Sequence, residues 1–424
     1  MTAAPLRIAL LGYRGNPYSG GQGIYLKYLS TALTNAGHQV SVIGGPPYPQ
    51  LEKSVELIKL PSLDLFNHPN HVRALKLEHL RSRADTFEWW SMLTGGFAEP
   101  YTFGLRLLPW LKIHSHRFDI IHDNQSLCSA LLTLQRRGTP VIATIHHPIT
   151  SDRDIALAHA TSRSQRLLIR RWHNFLRMQT RVAQGLKNIV TVSESSRRDI
   201  ATAFGIEADK ISVVHNGIDA NQFYPVPTIA REPMQLISTA SADQPLKGSV
   251  HLVRALAILQ ENHPDIRLTI IGKPKIGGPT EKLINSLNLN TKIKFRGDLD
   301  TQQIRELYAQ ATIAVVPSEY EGFGLPAGEA MACGVAVVST DGGALPEVVG
   351  NQAIVVPAGD AQALASGIGQ LLDDPRRREQ LARDGRERIL KHFNWDSAAA
   401  QMETLYRQVI AAQVTDHQPN AMQQ

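Results

Sequence analysis

Short apolar runs alternate with helical stripes along most of this chain. Residues 7–11, 39–43, 118–122, 141–145 and 188–192 form runs in the first half. Between the first two, Ile24, Tyr28, Leu29 and Leu33 recur at helical spacing until Gly37. Runs of about five apolar residues predict buried strands, and strands alternating with helices predict a parallel sheet covered on both faces. The second half repeats the pattern. Runs at 234–238, 268–271, 312–316, 335–339 and 354–356 surround a helical stripe of Leu252, Leu256 and Leu259 and a short helix after Pro326. The fold class is therefore α/β, with two doubly wound sheets.

Residues 224–233 contain three prolines and read as a stiff linker. They set the expected domains: 1–224 and 234–394, then a helix over 395–413 that packs back on the first domain. The polar tail, 414–424, is expected to be disordered. Residues 64–101 fit the alternation poorly. With Trp89, Trp90, Met92, Leu93 and Phe97 and a break at Gly95 and Gly96, they read as a partly helical insertion. Ligands of open α/β sheets bind beyond the carboxyl ends of strands, so a cleft between two such sheets is the expected site.

The chain has 424 residues, and its 43% apolar and 19% charged composition belongs to ordinary globular proteins rather than disordered ones. Cys128 and Cys333 are the only cysteines and lie far apart, which excludes a disulfide framework and a zinc knuckle and fits a reducing compartment. The apolar run near the N-terminus contains Arg7 and stops at Gly12, too short for a signal peptide. No stretch approaches the roughly 20 apolar residues of a spanning helix. The expectation is a cytoplasmic protein, with peripheral contact at the inner membrane face as an option. The net charge of +6 is uneven: residues 1–225 hold 25 Lys and Arg against 16 Asp and Glu, while residues 226–424 hold 19 against 22. A basic first half suggests an anionic partner, whether phosphate, membrane or nucleic acid.

The strongest chemical signal runs from Pro317 to Gly334. Glu321 and Glu329 stand eight residues apart, with Gly322, Phe323, Gly324 and Leu325 between them. The glycines allow a ligand to approach the backbone, and Pro326 suits the first turn of a helix whose free N–H groups favour an anion. A carboxylate on the loop, a carboxylate on the helix and anion-binding amides between them suit a ligand with hydroxyls at both ends and phosphates in the middle. A nucleotide sugar has that form.

This block resembles the paired-glutamate motif of the family 4 glycosyltransferases, also called group 1, which have the two-Rossmann-domain GT-B fold. The resemblance covers nearly the whole chain, through Gly20 and Gly21, Thr144-Ile145-His146, Val192-Ser193-Glu194-Ser195, Asn216-Gly217-Ile218-Asp219 and Lys247-Gly248. It implies transfer of a sugar from a nucleotide-diphosphate sugar to an acceptor hydroxyl, with retention, no metal and no cofactor. The acceptor would be a carbohydrate, a lipid or a small molecule, with residues 1–224 as the acceptor-side domain and residues 234–394 as the nucleotide-sugar-binding domain. Catalytic roles fall on His146 and Glu321. Donor contacts fall on Gly20, Gly21, Lys247, Gly322, Phe323, Gly324, Leu325 and Glu329, with Glu329 on the ribose and Lys247 on the diphosphate. The base side falls on Gly272 and Arg296. Where the family carries a second diphosphate cation shortly before its lysine, residues 239–247 contain no arginine. Arg14, Lys273, Arg296 or the hydroxyl of Ser241 are the candidates to replace it.

Other features read as structural or as secondary contacts. The triplets Asp152-Arg153-Asp154 and Asp298-Leu299-Asp300 have the spacing of a metal-binding pattern but look like turn and cap residues. Residues 122–125, His-Asp-Asn-Gln, end a strand and could line the acceptor side. Between Arg163 and Arg181, Arg166, Arg170, His173 and Arg177 share one helical face and Leu168, Trp172, Phe175, Leu176 and Val182 another. That pattern suits either a solvated basic face over a core stripe or peripheral contact with an anionic membrane. No nucleic-acid motif accompanies the charge. The rival readings are an epimerase or phosphorylase on the same fold, or a non-catalytic nucleotide-sugar binder.

Overall fold

The computed structural model describes residues 4–16, 21–68, 70, 73, 76–158, 160, 162–239 and 244–416. The chain divides into two units. The first comprises residues 1–192, 196–214 and 398–424, and the second residues 193–195 and 215–397.

The first unit is built on seven parallel strands: β1 (Arg7–Gly12), β2 (Gln39–Gly44), β3 (Glu56–Lys59), β4 (Ile120–Asn124), β5 (Val141–Thr144), β6 (Ile189–Thr191) and β7 (Ile211–Val213). Their spatial order is β3-β2-β1-β4-β5-β6-β7, with Leu10 opposite Val42 on one side and His122 on the other. The central strands are buried on both faces, which is why they read as continuous apolar runs. The sequence pattern missed β3 and β7. Both are short edge strands, and β3 carries Glu56 and Lys59 at its ends, the charges that keep an edge from pairing further.

The second unit has six parallel strands: β8 (Gln235–Thr239), β9 (Arg267–Ile271), β10 (Ile293–Arg296), β11 (Ile313–Val316), β12 (Ala336–Thr340) and β13 (Ile354–Val356). Their order is β10-β9-β8-β11-β12-β13. In each sheet the order reverses once, between β1 and β4 and between β8 and β11, and the loops leaving those strands open the crevice where such sheets bind ligands.

Several expectations change in detail. The first helix, Gly21–Asn35, buries Tyr25, Leu26, Leu29 and Leu33 rather than the stripe that began with Ile24 and Tyr28, because Tyr25 turns inward under β5. The proline-rich stretch is no free linker. Its neighbourhood is tied to the second unit by Glu232 N–H to the Gln310 carbonyl (2.8 Å), by Arg231 to the Ala311 carbonyl (2.5 Å) and by Arg305 stacked over Tyr224. The chain accordingly divides at Val214 and His215.

The insertion resolves into helices Arg83–Leu93 and Glu99–His114, separated at Gly95, whose φ of 74° favours glycine. The basic segment is not one helix but two, Arg163–Trp172 and Leu176–Gly185, joined by a 3-10 turn. The last helix runs Trp395–Asp416, so residues 414–416 of the expected tail are helical and the rest lie outside the described residues. From Ala398 onward this helix belongs to the first unit, where Met402, Tyr406 and Val409 are buried.

Candidate functional site

In the second unit, the loop after β11 and the loop after β8 are locked together at the switch point. Glu319 donates its N–H to the Leu246 carbonyl (2.8 Å), and Gly248 lies directly on the Pro317 carbonyl. A Cβ at Gly248 would lie 1.8 Å from that oxygen, and its φ of 63° is the left-handed conformation that glycine alone adopts freely. This contact carries Lys247 to Glu321: the ammonium donates to Glu321 Oε1 at 2.6 Å. Ser318 Oγ donates to the same oxygen at 2.9 Å. From below, Gly342 and Gly343 pack against the carbonyls of Ser318, Glu319 and Glu321, and Ala344 donates to the Glu321 carbonyl (2.8 Å). Ser318, Gly342 and Gly343 were not read as site residues. Ser318 lies within the motif itself, whereas the two glycines come from the connection that follows β12.

Gly324, with φ 101°, caps the helix Leu325–Ala332, and Pro326 occupies its first turn. Phe323 is buried against the Phe393 ring, so only its backbone can face a ligand. Glu329 differs from Glu321. Among the described residues its carboxylate has no hydrogen-bond or ion-pair partner, and burial pushes its pKa up to about 7. An unpaired carboxylate in such a place is costly, and hydroxyl donors from a ligand would relieve it. Tyr308 lies nearby, its hydroxyl paired with Thr239 Oγ1 at 2.9 Å.

Gly272 and Arg296 are brought together by a hydrogen bond from the Gly272 N–H to the Arg296 carbonyl (2.8 Å) at the ends of β9 and β10. Of the candidates for a second diphosphate cation, Lys273 is paired with Asp298, and Arg14 is paired with Glu99 in the first unit. Ser241 lies outside the described residues. Arg296 is exposed and has no ion-pair partner among the described residues.

In the first unit, His146 follows β5 and is held from three sides. Its N–H donates to Gln125 Oε1 (2.8 Å), its ring meets Tyr25 edge-on at 4.7 Å, and its Nε2 bonds Asn124 Oδ1 (2.7 Å). Asn124 Nδ2 donates to the Gln22 carbonyl (3.1 Å), which orients Oδ1 toward the ring. Nε2 therefore carries the hydrogen and Nδ1 keeps its lone pair. Burial lowers the His146 pKa to about 3, so the ring is neutral and offers an acceptor rather than a positive charge. His147 is clamped through its carbonyl by Gln125 Nε2 (2.8 Å).

Residues 122–125 thus divide. His122 is 1% exposed, its ring bound to Tyr406 (2.6 Å) and Thr144 (2.7 Å), and Asp123 is tied to Ser126 and the Leu127 N–H. Asn124 and Gln125 are as deeply buried, at 1% and 2% exposure, so none of the four lines a surface, which corrects the acceptor reading. Asn124 and Gln125 instead position the neighbouring histidines.

The glycine loop also changes. Gly20 lies outside the described residues. Gly21 opens the first helix with nothing within 4 Å of a Cβ placed on it. Gly23 is the sterically demanded glycine, because its Cβ would lie 2.4 Å from the Asn16 carbonyl. Of the aspartate triplets, Asp300 caps the helix Thr301–Gln310 through Gln303 (2.8 Å), and Asp154 pairs with Arg153. Among the described residues, no group of three His, Cys, Asp or Glu is placed to hold a metal.

Residues 19–222 match the family model "Glycosyltransferase Family 4", and residues 227–388 match "Glycosyl transferases group 1". The chain is 41% identical over 411 residues to the MMP alpha-(1->4)-mannosyltransferase of Mycolicibacterium hassiacum, covering 96% of this chain and 99% of the relative. It is 29% identical over 427 residues to a glycogen synthase of Mycobacterium tuberculosis, covering 98% and 97%. Among solved structures, sucrose-phosphate synthase from Thermosynechococcus elongatus superposes with a TM-score of 0.72 at 26% identity, covering 96% of this chain and all of that one (100%).

Proposed function

Since this chain belongs to the family 4, group 1 glycosyltransferases of GT-B fold, we propose that it transfers a hexose from a nucleoside-diphosphate sugar to an acceptor hydroxyl. Transfer proceeds with retention, and neither a metal nor a resident cofactor takes part. The observation that carries this reading is the pairing of Lys247 with Glu321, while Glu329, on the helix that follows, has no partner among the described residues.

In this structure the two opposite charges satisfy each other. An incoming diphosphate competes for the Lys247 ammonium, aided by the free N–H groups that open the helix Ser249–Leu259. Glu321 is then released to accept hydroxyl hydrogens of the sugar, still steadied by Ser318. Glu329 accepts the ribose hydroxyls, which favour its ionised form. Gly272 and the exposed Arg296 serve the base side, with Arg296 the cation left to assist the nucleotide. His146 accepts a sugar hydroxyl at Nδ1.

In the chemical step the bond from the anomeric carbon to the phosphate oxygen breaks and the electron pair leaves with the phosphate. The acceptor oxygen bonds the same face of that carbon. Its proton passes to the departing phosphate oxygen. Positioning and charge stabilisation are then the protein's contribution.

The test is nucleotide release from UDP-, GDP- and ADP-hexoses, with and without EDTA, in the wild type, Lys247→Ala and Glu321→Ala. Slow, EDTA-resistant release of one nucleotide, reduced about 10²–10³-fold in both variants, is expected. Mannose donors come first because of the 41% identical mannosyltransferase. Binding without turnover against every acceptor would favour a non-catalytic sugar-nucleotide binder, and C2- or C4-epimerised product would favour an epimerase.

No helix among the described residues is long and apolar enough to cross a membrane. The helix Arg163–Trp172 presents Leu167, 70% exposed, among arginines, and peripheral contact with anionic lipid is proposed there. Co-sedimentation with phosphatidylglycerol vesicles that is unaffected by Leu167→Glu would refute it.

A further inference from the structure

The helix Glu99–His114 of the first unit is apolar on two opposite rows, and the fold buries only one of them. Phe103, Leu107 and Leu111, spaced four residues apart, enter the core. Tyr101, Leu105, Pro109 and Ile113 repeat that spacing on the other side, and all four are exposed, Ile113 to 68%. Side chains four apart stand one above another and make a ridge along the helix. The neighbouring helix Arg83–Leu93 widens this face. Its Phe87 ring lies 4.9 Å from the Tyr101 ring, and Trp90, one turn on, is 57% exposed. A helix that is apolar all round is normally covered all round. Among the described residues sixteen large apolar side chains are exposed, and eight of them fall within residues 77–113. That concentration is a patch, not the single scattered residues of an ordinary surface.

Charge, area and shape say what covers it. Residues 77–113 carry four Lys and Arg and four Asp and Glu, so the segment has no net charge, whereas residues 1–225 as a whole hold nine more basic than acidic residues, 25 against 16. Arg106, on the helix itself, is taken up by Asp85 (2.5 Å) and Glu88 (2.9 Å). An anionic bilayer or an acidic protein would select a basic surface. A two-fold contact sets a patch against itself, so like charges there would repel, and a neutral patch is the place where two basic units can meet. The exposed row with Phe87 and Trp90 offers on the order of 500 Å² of apolar surface, about the apolar share of the roughly 800 Å² that each partner buries in a standard interface. The ridge is also self-complementary, because rows of side chains four apart interdigitate when two helices cross at about −50°.

We infer that the exposed row of the helix Glu99–His114, with Phe87 and Trp90, is a homodimer interface and that its occupant is the same row of a second copy of this chain. Leu105 lies mid-row, where the two ridges cross, and Trp90 lies on the flank. This inference stands apart from the glycosyl-transfer reading, since neither donor nor acceptor enters it.

Sedimentation equilibrium of the full chain up to about 100 µM reads the mass directly. Twice the chain mass is expected at the upper end, and raising the salt from about 0.05 to 0.5 M should leave it unchanged, because a neutral apolar contact is not screened. Leu105→Glu sets two carboxylates in the contact and should raise the dimer dissociation constant at least about tenfold, with the circular dichroism unchanged. Trp90→Glu, on the other helix, carries the test if Leu105→Glu does not fold. Leu167→Glu, on the basic helix outside the row, should leave the dimer intact. A monomer across the whole range, a dimer that a folded Leu105→Glu does not weaken, a dimer that Leu167→Glu weakens as much, or a dimer that dissociates in high salt would each overturn the inference. So would a monomer that binds phosphatidylglycerol vesicles through this face, losing that binding in Leu105→Glu, since lipid would then be the occupant.

Discussion

The loops at the β8–β11 boundary and those at the β1–β4 boundary occupy the same point of two similar sheets, yet they are built from opposite materials. The first set is charged and tightly clamped: Lys247 on Glu321, with Gly248, Gly342 and Gly343 pressed against neighbouring carbonyls. The second is largely aromatic, with Arg14 paired with Glu99, whose carboxyl burial pushes up to about 7, and His146 kept uncharged by burial. The sheet therefore supplies a position and the loops supply the chemistry. A charged clamp suits the diphosphate proposed for it, which leaves with the bonding electron pair.

The most severe test of the contrast is Gly248→Ala. The new methyl would meet the Pro317 carbonyl at 1.8 Å and separate the loops that pair Lys247 with Glu321. A displacement on the order of 1 Å there should lower kcat about 10²-fold. Circular dichroism should show the fold retained, and a kcat within twofold of wild type would refute the clamp.

Next in size is Gly23→Ala, whose Cβ faces the Asn16 carbonyl at 2.4 Å. It should destabilise the protein by about 1–3 kcal/mol. Gly21→Ala, with open space around it, should change stability by no more than about 0.5 kcal/mol. Urea denaturation of both variants tests whether Gly23, rather than its neighbour, shapes this loop.

Thr144→Val removes the hydroxyl shared by His122 (2.7 Å) and Tyr25 (3.1 Å), and should cost about 1–3 kcal/mol. An unchanged midpoint would show that the support beneath His146 is not mechanical.

The last expected effect is a pH dependence. Glu329 has its folded pKa raised from 4.5 to about 7, so the stability it contributes is full below 4.5 and is lost as pH rises through 7. Ribose hydroxyls favour the carboxylate, so nucleotide affinity should rise with pH up to 7 and then level off. Calorimetry should find binding about tenfold weaker at pH 6 than at pH 8. Glu329→Gln should flatten that profile, and a wild-type profile already flat would remove Glu329 from the ribose.

The two parallel sheets were legible along the chain, because strands buried on both faces must be apolar throughout. So was the motif from Glu321 to Glu329, because glycines, a proline and two carboxylates leave a local signature. Edge strands β3, β7 and β10 escaped, since their partly exposed residues interrupt the apolar run. Which residues meet was a matter of tertiary packing. The pairing of Lys247 with Glu321 joins positions 74 apart, and that of Asn124 with His146 joins positions 22 apart. The walls of an aromatic cavity in the first unit come from separate stretches of chain, around Tyr13, Gln22, Phe66, Phe97, Ile149 and Trp172. Packing also separated Glu329 from Glu321 and His122 from His146. Residue type is shared within each pair, and only burial and partners, set by distant parts of the chain, decide which group is free to meet a ligand.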